Sequence, residues 1–520
     1  MDRKVVIIGG GLGGLSTAIA LKTQLNFRNF TIYEQSNDIG GTWNDNTYPG
    51  CASDVPTHWY SLSTDLNPNW DRSHVLQPEL KAYWKQLAVK YGLNEHIVLN
   101  TRVRSVVWNA KDQKYTLELQ DQENGKVYVE RAEVVVSAVG FLSIPFDPPQ
   151  LKIESFKGER FHSARWDHSV DLHNKRVAVI GNGCSAAQFL PIITQDPTTH
   201  AVNFCRTPQW FLPALELFYL TVLSKRDNLN GSVPKMLEDY MRKKTPKEYH
   251  DRIIPKFSIG CKRVIVDSGY LSALHRPNFD INYDGIAEFT EDGVLTKKGE
   301  KLPFDVVISA TGFIVDEFPL KVKGVDGLSI QDFFKQKGGL EAYLGTTVPG
   351  FPNFFLIGGP NTGTGHASVV FSEEVQINYA LQLIKPVVRG LASSFEVKLK
   401  DHDEFNKRLQ KKLSTSVWSG CTSWYRTGHS GKIASVWPGT MTEFWWKLRS
   451  PVWSHYKVVN GKKWIRHRRF EKLQRAIGLI GIVFALVWAR NNETIIRTLT
   501  ANILAQATAF GRQLPALNLF

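Results

Sequence analysis

Two glycine-rich turns carry the chemistry open to this chain. Gly9-x-Gly11-x-x-Gly14 follows the apolar run Lys4 to Ile8, and Gly181-x-Gly183-x-x-Ala186 follows Arg176 to Ile180. Glycines in this pattern permit a tight turn and let the backbone approach a pyrophosphate, whose charge is stabilised by the amino end of the next helix. Each turn therefore predicts a dinucleotide site, with Ser185 and Ala186 in the opening of the second helix. Phe30 to Tyr33 reads as the next strand of the first unit and ends in Glu34. A carboxylate there bonds a ribose hydroxyl and excludes a 2′-phosphate, so FAD or NAD fits. The matching strand of the second unit, Ala201 to Cys205, ends in Arg206-Thr207 with no acid. An arginine in that place neutralises a 2′-phosphate and favours NADPH, the alternative being that Arg206 only caps the sheet edge. Together the two sites predict hydride transfer from NADPH to FAD.

The exit of the electrons is read from the cysteines. Cys51, Cys184, Cys205, Cys261 and Cys421 show no Cys-x-x-Cys spacing and no zinc-like grouping. Neither a redox dithiol, a disulfide framework nor a metal site is expected, and molecular oxygen becomes the leading acceptor.

These side chains need parallel strands to hold them. Lys4 to Ile8, Arg176 to Ile180, Phe304 to Ala310 and Asn353 to Ile357 are short apolar runs ending in small or glycine residues, as buried strands of doubly wound sheets do. Helices are expected over Leu15 to Gln24 and Ser185 to Ile193, and a helical insertion between Trp210 and Ile259 from the apolar residues of Leu212 to Leu223 and Met236 to Met241. The composition of the 520 residues, 42% hydrophobic and 22% charged, excludes a disordered or coiled-coil chain. The net charge is +14, but residues 451–520 hold eleven Lys and Arg against Glu471 and Glu493. The charge thus belongs mainly to a tail, and a nucleic-acid partner is not expected. No secretion signal is read at Met1-Asp2-Arg3-Lys4, whose apolar run stops after four residues, so a cytosol-facing protein is expected. The tail couples the basic stretch Lys462 to Arg475 to the apolar run Ala476 to Ala489, too short to cross a bilayer alone. It is expected to anchor at an intracellular membrane such as the endoplasmic reticulum, directly or with Thr494 to Phe510, or else to pack on the body.

Phe156-x-Gly158-x-x-x-His162-x-x-x-Trp166-Asp167 resembles the fingerprint of type I Baeyer–Villiger monooxygenases, class B flavoproteins related to the flavin-containing monooxygenases. Flanking runs match as well: Gly40-Gly41-Thr42-Trp43 through Tyr48-Pro49-Gly50, Gly140-Phe141-Leu142-Ser143-x-Pro145, Arg206-Thr207-Pro208 and Ala310-Thr311-Gly312-Phe313. The resemblance implies that Thr42, Trp43 and Tyr48 bind the cofactor, and that Lys262 meets the NADPH 2′-phosphate. It gives Arg263 the reactive flavin, with Asp54 as its partner, and makes His162 and Trp166 couple NADPH docking to domain movement. Blind to the fingerprint, His162 reads as a core or surface histidine. Asp45 departs from the pattern where an aromatic is common, and Val139 where a threonine is usual. Gly359-Pro360-Asn361-Thr362-Gly363-x-Gly365-His366 resembles monooxygenases acting on acetophenone-like or polycyclic ketones, which implies that it lies along the flavin, with His366 either a substrate contact or a structural loop residue.

The expected architecture is α/β, with two Rossmann-like dinucleotide-binding domains for FAD and NADPH, a helical insertion and a basic-hydrophobic C-terminal tail. The FAD domain takes residues 1–145 and 341–450, the NADPH domain 146–209 and 261–340, the insertion 210–260 and the tail 451–520. The expected function is a monooxygenase that forms a C4a-peroxyflavin and inserts one atom of O2 into a small apolar or polycyclic ketone. Two alternatives stay open: oxygenation of nitrogen or sulfur, and a membrane-tethered nucleotide-binding flavoprotein without turnover.

Overall fold

The computed structural model describes residues 3–213, 232–363 and 367–492, and the chain divides into two compact units, Met1–Val459 and Asn460–Phe520. Within the first unit, Val5–Ile8 and Val134–Ser137 are buried at every residue. Strands so short and wholly buried suit only the interior of a parallel sheet covered on both faces. They are the middle of a five-stranded sheet in the order Phe354–Leu356, Val134–Ser137, Val5–Ile8, Phe30–Tyr33, Ile97–Val98, every pairing parallel. Its register sets Ile8 beside Tyr33 and Ser137, so three strands end together where the Gly9 turn begins.

A second parallel sheet runs Phe279–Asn282, His200–Phe204, Arg176–Ile180, Val306–Ser309, Glu159–His162. Here Ile180 pairs with Phe204 and Ser309, again bringing three strand ends to a glycine turn. The expected pair of Rossmann-like units is therefore present, with strand ends displaced by a residue or two from the sequence reading. Beside the first sheet, Thr101–Asn109, Lys114–Asp121 and Val127–Ala132 form a meander joined by Lys321–Lys323. Thr101–Asn109 buries alternate residues, as expected of a strand with one face on a core.

Two expectations need correction. Leu212 does not begin a helix: Phe211–Pro213 is a strand paired in parallel with Ile265–Asp267. A three-residue apolar run has no period to separate the two states, and its partner lies about fifty residues away. Residues 214–231 of the insertion lie outside the described residues, while Ser232–Lys244 and His250–Ile253 are helical. Nor are the cysteines all free. Cys261 and Cys421 form a disulfide across 160 residues of sequence, and Cys51, Cys184 and Cys205 remain thiols. Local spacing cannot reveal a bridge that the fold closes.

In the second unit, Lys462–Asn491 is a 30-residue helix. It holds the basic stretch and the apolar run in one element. Among the described residues, no helix is long and apolar enough to cross a membrane. Thr494 to Phe510 lies outside them.

Candidate active site

The two glycine turns are near copies. Gly9 and Gly181 both have φ +104°, a conformation that disfavours any side chain. A Cβ on either would run into a carbonyl oxygen of the neighbouring strand's exit, Ala138 or Ala310. Gly14 cannot carry a Cβ because it would meet the Gly9 carbonyl, whereas Ala186, its counterpart, is fully buried without conflict. Gly11 and Gly183 cap the helices Leu12–Leu25 and Cys184–Ile193 with extended backbones and no side-chain cap, and neither first turn contains an acid. The leading amides and the helix dipoles thus face outward unopposed, which fits a pyrophosphate at each turn.

The side chains that close the two turns differ in charge. Glu34 is buried; its Oε2 accepts from the Gly10 amide at 2.6 Å and its Oε1 from the Ser36 amide at 2.8 Å. The carboxylate is fixed against the turn with lone pairs left over for a ribose. At the second turn Arg206 is exposed, and Lys262 donates to Thr207 Oγ1 at 3.0 Å. Asn182 Nδ2 holds the Thr207 carbonyl at 2.9 Å. Burial, and then the positive charge of Arg206, pulls the Lys262 ammonium below its ordinary pKa. Two mutually repelling cations beside a helix N-terminus form an arrangement that a phosphate dianion stabilises.

Next to Lys262 in sequence, Arg263 pairs with Asp54 on the cleft wall. Its Nη2 lies 2.7 Å from Asp54 Oδ2, its Nε donates to the same oxygen at 3.0 Å, and Nη2 also reaches the Asp54 carbonyl at 3.2 Å. Three donor contacts on one residue fix the plane of the guanidinium, as a lysine could not. Cys184, first residue of the second dinucleotide helix, stands 3.9 Å from the same carboxylate oxygen, its thiol pushed up to about 12 chiefly by burial. The disulfide at Cys261 ties the segment bearing both cations to Cys421, shortly before Trp424, which stacks on Phe141 with ring centres 6.3 Å apart.

A cleft of about 1280 Å³ joins these parts. Gly9, Gly11, Gly181 and Gly183 line it, as do Glu34, Arg206, Lys262, Asp54 and Arg263. Thr42, Trp43, Tyr48, Ser185 and Thr207 complete the set of sequence-predicted residues on its wall. Tyr48 donates to Gln188 Oε1 at 2.8 Å, and Gln188 Nε2 donates to the Ala52 carbonyl at 3.1 Å. The second dinucleotide helix is thereby fastened to the segment carrying Asp54, through a glutamine that no sequence motif marked.

The fingerprint residues do not line the cleft. Phe156 and Gly158 pack at the root of the strand Glu159–His162, where a Cβ on Gly158 would lie 2.6 Å from the Asp305 carbonyl oxygen. His162 ends that strand, buried; its Nδ1 accepts from the Ala164 amide at 3.0 Å, which leaves the ring proton on Nε2. Burial lowers its pKa and keeps it neutral. Trp166 packs against Phe161 and, with centres 5.1 Å apart, against Phe189 of the second dinucleotide helix. Asp167 is exposed and accepts from Ser169. Between His162 and Trp166, Arg165 reaches Asp45 at 3.1 Å, so the departure noted at Asp45 supplies an ion pair from the helix Thr42–Asp45 to the fingerprint segment. His366 lies outside the described residues.

The profile of the flavin-binding monooxygenase-like family matches residues 2–331. A Baeyer–Villiger monooxygenase of Pseudomonas aeruginosa is 38% identical over 482 residues, 86% of this chain and 89% of that protein. A second, from Streptomyces coelicolor, is 34% identical over 492 residues, 88% of this chain and 92% of its own. The fold is also that of cyclohexanone monooxygenase in its closed crystal structure, with TM-score 0.78 at 23% identity over 88% of this chain and 99% of that one. The chain belongs to the flavin-binding monooxygenase-like family, within its Baeyer–Villiger monooxygenases. It is an oxidoreductase whose cofactors are FAD and NADPH.

Proposed function

We propose that this chain inserts one oxygen atom from O2 beside the carbonyl of an apolar ketone, giving an ester or lactone, at the expense of NADPH. The observation that carries this reading is the Arg263–Asp54 pair, facing the same cleft as both glycine turns. In the proposed division of labour, residues 1–145 and 341–450 hold FAD, with its pyrophosphate on the Gly11 helix and its ribose on Glu34. Residues 146–209 and 261–340 hold NADPH, with its 2′-phosphate between Arg206, Thr207 and Lys262, and residues 210–260 form the insertion between them. FAD, when bound, supplies the two-electron acceptor for the nicotinamide and, once reduced, the reaction with O2. Arg263, held in plane by Asp54, stabilises the negative charge that develops on oxygen before it attacks a carbonyl. Oxidation of sulfur or nitrogen has no need of that charge, and this separates the reading from its neighbour. Apolar and aromatic walls, among them Trp43, Phe141 and Trp424, keep water from the site and match an apolar substrate.

The deciding experiment offers purified protein ketones and sulfides under oxygen-18 gas. One labelled oxygen in an ester, with one NADPH consumed per product, supports the proposal. Oxygenation of sulfides alone overturns it. For the tail, residues 451–520, we propose contact with an anionic membrane surface. Ile480, Val483, Phe484 and Val487 are exposed on a helix whose other end carries Lys462, Lys463, Arg466, Arg468 and Arg469. Unchanged flotation on anionic vesicles after removal of residues 470–520 would remove that idea.

A further inference from the structure

Glu373 is a cleft residue that the proposed reaction does not use. It lies in the first turns of the helix Val369–Val388 and contributes to the cleft wall. Its Oε1 sits between two glycines that belong to the first dinucleotide unit. A Cβ on Gly13, in the first turn of the Leu12–Leu25 helix, would be 3.5 Å from it, and one on Gly358, just past the strand Phe354–Leu356, 3.6 Å. Its Oε2 has no exposed surface and no hydrogen-bond partner among the described residues. Enclosure of that oxygen by protein disfavours the ionised carboxylate. The next residue, Glu374, is by contrast satisfied by the amide and hydroxyl of Ser63 at 3.1 and 2.6 Å.

We infer that Glu373, in its protonated form, donates a hydrogen bond to FAD where the cofactor meets the amino end of the Leu12–Leu25 helix. This rests on the assignment of FAD to the first turn. An ionised carboxylate could not serve, because it would confront the cofactor's own phosphates. The local charges agree. Burial first, and Glu374 second, push the Glu373 carboxyl up to about 8. The first turn of the Leu12–Leu25 helix carries no acid or base, and neither does the segment from Phe354 to Pro360. Other elements packed on the Val369–Val388 helix bear His58 and Tyr60, in Thr57–Tyr60, and Glu443 and Lys447, in Met441–Leu448. Of these groups only Glu374 contributes to the shift.

The test is the dissociation constant of FAD, measured by quenching of flavin fluorescence on the full chain stripped of cofactor, at pH 7, 8 and 9. A donor lost on ionisation near pH 8 weakens wild-type binding about tenfold between pH 7 and pH 9. Glu373→Gln keeps a donor at every pH and should bind with a flat profile close to the wild-type value at pH 7. Glu373→Ala should bind about tenfold more weakly at pH 7, also with a flat profile. Circular dichroism of each variant separates binding from folding. Parallel pH profiles for wild type and Glu373→Gln overturn the inference and leave the proposed function standing. Failure of the wild type to bind FAD at any pH overturns both.

Discussion

Replacing Arg263 tests the central electrostatic argument. The guanidinium makes contacts of 2.7, 3.0 and 3.2 Å to Asp54, and its side chain is 19% exposed, so it is a fixed and partly desolvated cation. Two unit charges about 4 Å apart interact by about 4 kcal/mol at an effective dielectric constant near 20. A preorganised donor aimed at a developing anion is typically worth about 3 kcal/mol, or on the order of a hundredfold in rate. Arg263→Ala should therefore cut ester formation on the order of a hundredfold. The reduction of FAD by NADPH, followed anaerobically by loss of flavin absorbance, should change only a few-fold, since Arg206 and Lys262 still hold the nucleotide. NADPH oxidation in air should continue, with the electrons appearing as hydrogen peroxide. Arg263→Lys keeps the charge but not the planar fork, and should recover only part of the loss. Asp54→Asn should act through the same guanidinium, so the double variant should be no worse than Arg263→Ala. Ester formation by Arg263→Ala within tenfold of wild type would refute the reasoning, as would full additivity with Asp54→Asn.

The same cleft and the bridge beside it give further expected outcomes. Arg206→Ala should raise the KM for NADPH on the order of tenfold while leaving that for NADH nearly unchanged. Loss of the Arg206 charge should also let the Lys262 ammonium recover some of its depressed pKa, readable from the pH dependence of the NADPH KM. The disulfide predicts three titratable thiols in the denatured, unreduced chain and five after a dithiol, counted by alkylation and mass. Closing a loop of 160 residues is worth about 5 kcal/mol of unfolded-state entropy, so Cys421→Ser should lower the melting temperature by several degrees.

The parts of this molecule that a sequence reveals are those whose physics is local. A strand, a glycine at positive φ, an uncapped helix and a charged residue at the next strand's end all fall within about thirty residues of one another. Gly9 to Glu34 and Gly181 to Arg206 could therefore be read directly. The Arg263–Asp54 pair spans 209 residues and was accessible only through the family resemblance. Glu373, Gln188 and the Cys261–Cys421 bridge carried no signal, because each gains its meaning from a distant element that the fold brings beside it. Leu212 shows the opposite failure: an apolar run was legible, but its state was decided by a partner strand at Ile265–Asp267. The fingerprint is legible as a pattern, but only the fold shows that His162 ends the edge strand Glu159–His162 of the second sheet and that Phe156, Gly158, His162 and Trp166 stand off the cleft wall.

The near identity of the two turns sharpens what must distinguish them. With the same φ at Gly9 and Gly181, and cap backbones at Gly11 and Gly183 that agree within about a degree, the peptide cradles cannot sort one dinucleotide from another. Discrimination falls to the side chains that close each cradle, and these are opposite in sign and in burial. Glu34 is locked inward by two amides, where it accepts from a hydroxyl and repels a phosphate. Arg206 stands in solvent with Lys262 behind it, where it attracts a phosphate and gains little from a hydroxyl. On the proposed assignment, charge alone makes the duplicated backbone directional: the nucleotide with the extra phosphate would be drawn to the second site and refused at the first. The Tyr48–Gln188–Ala52 hydrogen bonds and the Asp45–Arg165 ion pair tie residues 45–52 to the second dinucleotide helix and to the fingerprint segment.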